Sequence, residues 1–175
     1  MKKLDILENQ VNKVYLGLGS NLGNKENNLN KAMFLLSDMN TTIVNVSSLY
    51  LTKSWPNELF PDYINIVLKI KTNLDLKSLF VKIKKVEKSL GRKNKQKNHP
   101  RECDIDILDF NRKKLNIMIN EQKLIVPHPR MSTRSFVLLP LFEISKNWTH
   151  PVSHKKITIL LNKISDNDLS CIKLI

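Results

Sequence analysis

The chain is poor in cysteine and lacks a long uncharged apolar run. Its 175 residues include two cysteines, Cys103 and Cys171, which are too few for a disulfide framework and suit a reducing compartment. No apolar run approaches the length of a membrane span, so we expect no membrane partner. Residues 1–10 carry acids within their apolar part and lack a small-residue cleavage site, so we expect no secretory signal. These absences together predict a soluble, cytoplasmic protein.

Acidic residues are also scarce. The sequence has 29 Lys and Arg residues against 16 Asp and Glu residues, a net charge of +13. Such a balance favours an anionic partner, either nucleic acid or a phosphate-rich small molecule. The alternative is a composition bias, because many lysines lie between apolar positions of predicted helices, where the pattern requires only a polar residue.

Repeats and Gly/Ser-rich linkers are absent from the sequence, and no stretch indicates a second core. Hydrophobic residues make up 41% of the chain, which is enough for one core at this length. We therefore expect a single domain over residues 1–175, with its core at about 14–145 and a C-terminal helix and tail at 146–175.

Hydrophobic periodicity predicts a mixed sequence of strands and helices. The predicted strands are 14–20, 41–54, 63–71, a strand through 104–107, and 114–119. The predicted helices are a turn and helix in 21–36, then 75–91 with Gly91 as its C-terminal cap, 135–144 and 157–164. The first six elements have the order β-α-β-β-α-β, which is that of the split β-α-β, ferredoxin-like arrangement. We predict an α+β fold in which helices cover one face of an antiparallel sheet.

Two aspartates occupy alternate positions of an apolar strand, just after a basic segment. Asp104 and Asp106 would share one face of that strand, because side chains two residues apart point to the same side. Paired carboxylates on a rigid strand suit Mg²⁺, which takes oxygen ligands and completes its coordination with substrate phosphates and water. The alternative is that salt bridges to Arg92 or Arg101 hold the two acids together. Spacing alone leaves both interpretations open.

Two further motifs are weak. Asp166 and Asp168 form a second Asp-x-Asp in a polar segment, which we interpret as chance. The stretch "GLGSNLG" (17–23) has neither the G-x-G-x-x-G spacing nor the Lys-Ser/Thr that ends a P-loop. Its Gly17 and Gly19 are better explained as strand positions where the backbone approaches another element closely.

Four other side chains are candidate ligand contacts. His128 lies between two prolines, and Arg134 follows at the start of a predicted helix, where an anion can bind; alternatively, His128 is structural or merely exposed. Tyr63 and Asn65 share a strand face, so they could offer a stacking surface and an amide to a flat ligand. The alternative is an ordinary exposed strand face, which the pattern alone favours.

Taken together and in order, several stretches resemble one family, the 6-hydroxymethyl-dihydropterin pyrophosphokinases of folate synthesis. They span about residues 14–145, and their combination is specific although each is weak alone. The matching stretches are "LGLGSNLG", "SSLYLT", "PDYIN", Glu87 followed by "GR" at 91–92, "PRECDIDIL", "VPHPRM" and "RSFVLLPLFEI".

The resemblance implies transfer of pyrophosphate from ATP to the hydroxymethyl group of 6-hydroxymethyl-7,8-dihydropterin, leaving AMP. It implies ATP as co-substrate and two Mg²⁺ ions held by Asp104 and Asp106. The residues implied for catalysis are Arg92, Arg101, Asp104 and Asp106. Those implied for ATP binding are Glu87, Arg92, Arg101, Ile107, Lys123, His128 and Arg134. Those implied for pterin binding are Thr52, Tyr63, Asn65 and Phe136, with the two aromatic rings on either side of the pterin.

Two other functions stay open at this point. A basic ferredoxin-like module can bind RNA through aromatic side chains on its strands, although Asp104 and Asp106 on the working face would repel a nucleic-acid backbone. Another Mg²⁺-dependent nucleotidyl transferase would release pyrophosphate instead of AMP. We expect small-molecule substrates as partners, no nucleic acid, and a monomer.

Overall fold

A computed structural model describes residues 11–37, 40–92 and 99–175. Residues 1–10, on which the expectation of no secretory signal rests, and residues 93–98 of the basic loop lie outside these ranges. The strands are β1 (Asn12–Ser20), β2 (Thr41–Val46), β3 (Tyr50–Thr52), β4 (Tyr63–Thr72), β5 (Asp104–Phe110), β6 (Leu115–Ile119), β7 (Gln122–Val126) and β8 (Ile172–Leu174). The helices are α1 (Lys25–Ser37), α2 (Leu76–Ser89), α3 (Ser135–Ile144), α4 (Ile157–Leu161) and α5 (Asp166–Ser170), with a 3₁₀ turn at Met131–Thr133.

Six of the strands form one antiparallel sheet. Its spatial order is β5-β1-β4-β3-β8, and β2 pairs with β4 alongside β3. Helix α1 connects β1 to β2, and α2 connects β4 to β5. This connectivity confirms the predicted ferredoxin-like arrangement.

The single strand predicted at 41–54 is wrong, because the chain forms two strands there. Between them, the Oγ atom of Ser47 accepts a hydrogen bond from the backbone N–H of Val67 at 2.9 Å, and the Ser47 N–H donates to the Val67 carbonyl at 3.0 Å. A side chain thus replaces one backbone acceptor of the ladder, and the strand is interrupted.

Helices cover both faces of the sheet, whereas the prediction described helices on one face. Helices α1 and α2 pack against β1, β4 and β5 in the main core, which also buries Cys103. On the other face, α3 and α4 pack with Val67, Leu108 and Trp148 in a smaller second core. The sequence of α3, "SFVLLPLFEI", is apolar almost all round, which is typical of a buried helix.

The C-terminal third differs most from the prediction. Strand β7 pairs with β6 in a hairpin where no strand was predicted, and α4 ends at Leu161 instead of 164. Helix α5 and strand β8 were not predicted. Trp148 connects this region to β5, because its Nε1–H donates to Oδ2 of the buried Asp109 at 2.9 Å. In the part of the chain that the structure describes, no helix has the length and apolarity to cross a membrane.

Both ends of α2 are capped, and its C-terminal end positions an arginine. Asp75 is the N-cap and accepts from the Ser78 N–H at 2.7 Å. Gly91 has a φ of +106°, and the Arg92 N–H donates to the Glu87 carbonyl at 3.1 Å, as in a Schellman motif. The predicted capping role of Gly91 is confirmed, and it turns the chain so that Arg92 reaches β5.

Candidate active site

Asp104, the first residue of β5, is held by two arginines. It accepts hydrogen bonds from Nη1 of Arg92 at 2.7 Å and from Nη1 of Arg101 at 3.0 Å. Burial alone would raise the pKa of Asp104, but the guanidinium charges of Arg101 and Arg92 outweigh it and hold the pKa below its usual range. The salt bridges considered from the sequence therefore form, and Asp104 is ionised at neutral pH.

Asp106 lies on the same strand without so close a cation. Its Oδ2 atom is 3.9 Å from Nε2 of His128 and 4.0 Å from Nη1 of Arg134, and neither distance is that of a hydrogen bond. Burial and the charge of Asp104 raise the pKa of Asp106 to about 6. The two carboxylates thus repel each other, and only the first is neutralised by the protein.

His128 is uncharged in this environment. Burial, followed by the charges of Arg134 and Arg130, lowers the pKa of His128 to about 4. Its Nδ1 atom accepts from the Arg130 N–H at 3.2 Å, which leaves Nε2 as the protonated nitrogen. The ring therefore presents an N–H donor towards Asp106 and the cavity beside it.

Glu87 is buried behind β5 and lines neither cavity described below. Its Oε1 atom accepts from the Ile105 N–H at 2.8 Å, and its Oε2 atom accepts from Nζ of Lys84 at 2.9 Å. Oε1 also forms an ion pair with Nη1 of Arg92. With 1% of its side chain exposed, Glu87 positions β5, Lys84 and Arg92. Lys84 was missed in the sequence, where its only signal is its spacing of three from Glu87 on α2.

Asn21 plays a similar positioning role on the other side of the site. Its Oδ1 atom accepts from the Arg101 N–H at 2.8 Å. Its Nδ2 atom donates to Oγ of Ser54 at 3.1 Å and to the Pro61 carbonyl at 3.2 Å. No sequence signal indicated this role except the position of Asn21 directly after β1.

The residues implied for pterin binding come together at the β3–β4 end of the site. Nδ2 of Asn65 donates to Oγ1 of Thr52 at 2.9 Å, and Thr52 is paired directly with Tyr63. A Cβ atom at Gly19 would lie 2.9 Å from Oδ1 of Asn65 and 3.3 Å from Cδ1 of Tyr63. The interpretation of Gly19 as a site of close approach is confirmed. Phe136, at the start of α3, faces the same cavity.

Two cavities meet at Asp106. The larger, of about 740 Å³, contains most of the predicted site residues. Among those lining it are Thr52, Tyr63, Asn65, Arg92, Arg101, Asp104, Asp106, His128, Arg134 and Phe136. The smaller, of about 290 Å³, is lined by Ile107 and Lys123 and shares Lys84, Asp106 and His128 with the first. The site thus runs from the aromatic end, past the two aspartates, to the β5–β7 end.

The donor set suits a hard cation that shares its coordination with a ligand. Asp104 and Asp106 offer carboxylate oxygens on one strand face, as Mg²⁺ prefers. Among the described residues, no group of three or more His, Cys, Asp or Glu side chains could hold a metal. The protein would therefore provide a partial shell, which phosphate oxygens and water can complete.

Comparison with known proteins identifies the family of the chain. A sequence model of the family "7,8-dihydro-6-hydroxymethylpterin-pyrophosphokinase (HPPK)" matches residues 15–146. The 2-amino-4-hydroxy-6-hydroxymethyldihydropteridine pyrophosphokinase of Aquifex aeolicus is 43% identical over 81% of this chain and 86% of that protein. The Bacillus subtilis protein of the same name is 41% identical over 76% of this chain and 78% of its own length.

A solved structure shares the fold over nearly the whole chain. The crystal structure of wild-type Plasmodium falciparum HPPK-DHPS with pterin and p-hydroxybenzoate has a TM-score of 0.75 at 18% identity. It covers 94% of this chain, which spans 45% of that longer protein. At 18% identity this likeness supports the fold alone, and the assignment to a family rests on the sequence matches. The chain belongs to the 7,8-dihydro-6-hydroxymethylpterin-pyrophosphokinase family.

Proposed function

We propose that this protein transfers the pyrophosphoryl group of ATP to the hydroxymethyl group of 6-hydroxymethyl-7,8-dihydropterin, giving AMP and the pterin diphosphate in folate biosynthesis. One observation carries the proposal beside the family membership. Asn65, Gly19 and Asp104 lie directly opposite one another on β4, β1 and β5. A flat ring bound at Asn65 would therefore lie about 10 Å, or two strand spacings, from the carboxylates.

The cationic side chains of the site would bind the triphosphate. Arg92 and Arg101 already contact a carboxylate, and guanidinium groups bind phosphate oxygens with the same geometry. Arg134 adds a third positive charge, and the Nε2–H of His128 adds a neutral donor. An incoming triphosphate would compete with Asp104 for the two arginines and so free that carboxylate.

We propose that Asp104 and Asp106 hold two Mg²⁺ ions together with the phosphates. Support comes from the oxygen donors on one strand face and from the charge of Asp106, whose described ion-pair partners both lie beyond hydrogen-bond distance. When bound, the ions would supply charge neutralisation of the phosphoryl oxygens and a template for in-line geometry.

The remaining ATP contacts would lie in the smaller cavity. Ile107 and Lys123 line it, so the nucleoside would extend there from the phosphates at Asp106 and His128. Glu87 would act on ATP indirectly by holding Arg92, because its carboxylate is fully enclosed.

The aromatic end would bind the pterin. Tyr63 and Phe136 both line the main cavity, and a flat ring bound between them would gain from stacking on both. The amide of Asn65 and the groups of Thr52 would pair with the donors and acceptors of the ring edge.

The proposed reaction is an in-line transfer of the pyrophosphoryl group. The hydroxymethyl oxygen attacks the β-phosphorus of ATP and releases its proton to solvent, the bond from that phosphorus to the α–β bridging oxygen breaks, and AMP leaves with that oxygen. Such transfers depend on positioning and electrostatic stabilisation. The arginines would stabilise charge on the transferred group, while the sheet holds both substrates at a fixed distance.

The direct test is an assay with ATP, Mg²⁺ and 6-hydroxymethyl-7,8-dihydropterin, in which AMP and pterin diphosphate are measured by chromatography. We expect equal amounts of the two products and no AMP without pterin. Asp104→Ala and Asp106→Ala should each abolish turnover while circular dichroism shows a folded chain. Pyrophosphate release would instead support a nucleotidyl transferase, and an inactive folded wild type would contradict the proposal. Family membership favours neither that alternative nor RNA binding.

We propose this activity for one domain with its core at about 14–145, acting as a cytoplasmic monomer without nucleic-acid partners. The free cysteines, one of them buried, support a reducing compartment. Size-exclusion chromatography with light scattering would test the monomer.

A further inference from the structure

The segment formed by residues 165–175, which we name the C-terminal segment, reaches the main cavity. It consists of α5, capped by Ser165, and β8. It lies beyond the residues that the family model matches, 15–146. Four of its side chains line the cavity: Asn167, Asp168, Cys171 and Ile172. Asp168 belongs to the second Asp-x-Asp motif, which the sequence led us to interpret as chance.

Strand register places the C-terminal segment at the aromatic end of the cavity. Ile172 of β8 is the direct partner of Thr52 on β3, and Thr52 is the direct partner of Tyr63 on β4. These three residues form one row across the sheet, with strand spacings of about 4.8 Å. The phosphate-binding candidates His128 and Arg134 belong instead to the segment that leads into α3.

Strand β8 also gives β3 its second neighbour. Without it, the three residues of β3 would form the edge of the sheet next to β4. The Ile175 N–H donates to the Leu49 carbonyl at 3.1 Å. Because hydrogen-bonded pairs alternate along an antiparallel ladder, Leu51 and Lys173 form the next such pair. The backbone position of Thr52 therefore depends on β8.

We propose that the C-terminal segment is a wall of the pterin subsite. Cys171 and Ile172 give it an apolar surface beside the ring, Asn167 and Asp168 give it a polar rim, and β8 holds Thr52 in register with Asn65. The segment thereby limits which ring substituents fit at this end. This inference rests on the proposed function, since it assigns the aromatic end of the cavity to pterin.

The thiol of Cys171 allows a test on the unmodified protein. Cys171 is exposed and Cys103 is buried, so N-ethylmaleimide should label Cys171 selectively, as peptide mass spectrometry can verify. Labelling rates are compared for the free protein, with a non-hydrolysable ATP analogue and Mg²⁺, and with the analogue plus 6-hydroxymethyl-7,8-dihydropterin. The pterin at ten times its Kd should slow labelling about tenfold by mass action, whereas the analogue alone should leave the rate within about twofold of that of the free protein. Equal rates with and without pterin, or full protection by the analogue alone, would overturn the proposal.

A matched pair of variants tests the positioning role. Lys173→Pro removes a backbone N–H of β8, while Lys173→Ala keeps it. We expect Lys173→Pro to raise the KM for pterin about tenfold, the scale of one lost hydrogen bond, with the KM for ATP nearly unchanged and Lys173→Ala like the wild type. An unchanged pterin KM in Lys173→Pro, or an equal rise in both KM values, would refute this role. An inactive wild type would instead contradict the proposed function, and if Lys173→Pro does not fold, the labelling experiment still decides.

Discussion

The two aspartates of β5 should have opposite effects on the stability of the metal-free protein. Asp104 has two arginine partners, whereas Asp106 has no cation within hydrogen-bond distance among its ion pairs. We therefore expect Asp106→Asn to raise the free energy of unfolding at pH 7 in the presence of EDTA, and Asp104→Asn to lower it. Each change removes one charge and keeps the size of the side chain.

The magnitude follows from the environment of each carboxylate. A rise in the pKa of Asp106 from 3.8 to about 6 corresponds to about 3 kcal/mol for a fully enclosed group. The side chain is 40% exposed, so water screens its charge and we expect a gain of about 1 kcal/mol. For Asp104, which is 29% exposed, loss of both arginine contacts should cost about 1–2 kcal/mol, between the values for exposed and buried pairs.

The pH dependence gives a second check with a definite sign. Because the pKa of Asp106 is raised in the folded state, its charge destabilises the fold above about pH 6, and this penalty disappears as the pH falls towards 3.8. The advantage of Asp106→Asn should therefore fall to about half at pH 5.

Urea denaturation measures the free energy of unfolding of each variant, and calorimetry measures its Tm. For a chain of this length, 1 kcal/mol should shift Tm by about 2–4 °C. A lower Tm for Asp106→Asn at pH 7, or a higher one for Asp104→Asn, would refute the assignment of the unneutralised charge to Asp106.

Three further predictions concern neighbouring residues. Asn65→Ala should weaken pterin binding roughly ten- to a hundredfold in calorimetric titration, because the buried ring edge of the pterin would lose its partner, and an unpaired buried amide costs about 1–3 kcal/mol. Phe136→Ala should weaken pterin binding at least as much, and both variants should leave ATP-analogue binding unchanged. Gly19→Ala should also weaken pterin binding, since its Cβ would displace Asn65, whereas Gly17→Ala, with its nearest contact at 3.4 Å, should not. Glu87→Leu should cost about 1–3 kcal/mol in urea denaturation by leaving the Ile105 N–H unpaired, and Glu87→Gln, which keeps an acceptor, should cost less. These expectations would be contradicted by loss of nucleotide binding in Asn65→Ala, by equal effects of the two glycine variants on pterin binding, or by equal losses of stability in the two Glu87 variants.

Much of the sheet and its helices could be predicted because their patterns are local. The alternation in "YINIVLKIK" and the apolar stripe with Gly91 at the end of α2 gave these elements nearly at their observed bounds. The break at Ser47 could not be found this way, since it depends on a hydrogen bond to Val67, which lies 20 residues away. Strand β8 has three residues and forms because β3 offers it an edge, which is a tertiary property.

The site was predictable in its composition but not in its internal contacts. Resemblance of short stretches indicated the aspartates, His128 and the aromatic residues, which the fold brings to one cavity. The enclosure of Glu87 and the role of Lys84 could not be derived, because both depend on how α2 packs behind β5. Likewise, the different charge states of Asp104 and Asp106 arise from arginines placed by the fold.

The direct pairing of Asn65, Gly19 and Asp104 makes the backbone ladder a molecular ruler. In the proposed complex, the separation between the acceptor ring and the phosphates is set by inter-strand hydrogen bonds, which substitutions that keep the backbone N–H and C=O groups leave in place. Under the proposed assignment, changes at Tyr63, Asn65 or Thr52 would therefore alter the choice of acceptor without moving Asp104 and Asp106. A one-residue slip of β1 would instead bring a residue with a Cβ atom to the position of Gly19. Its side chain would turn from the opposite face of the sheet into the proposed ring subsite and close that subsite.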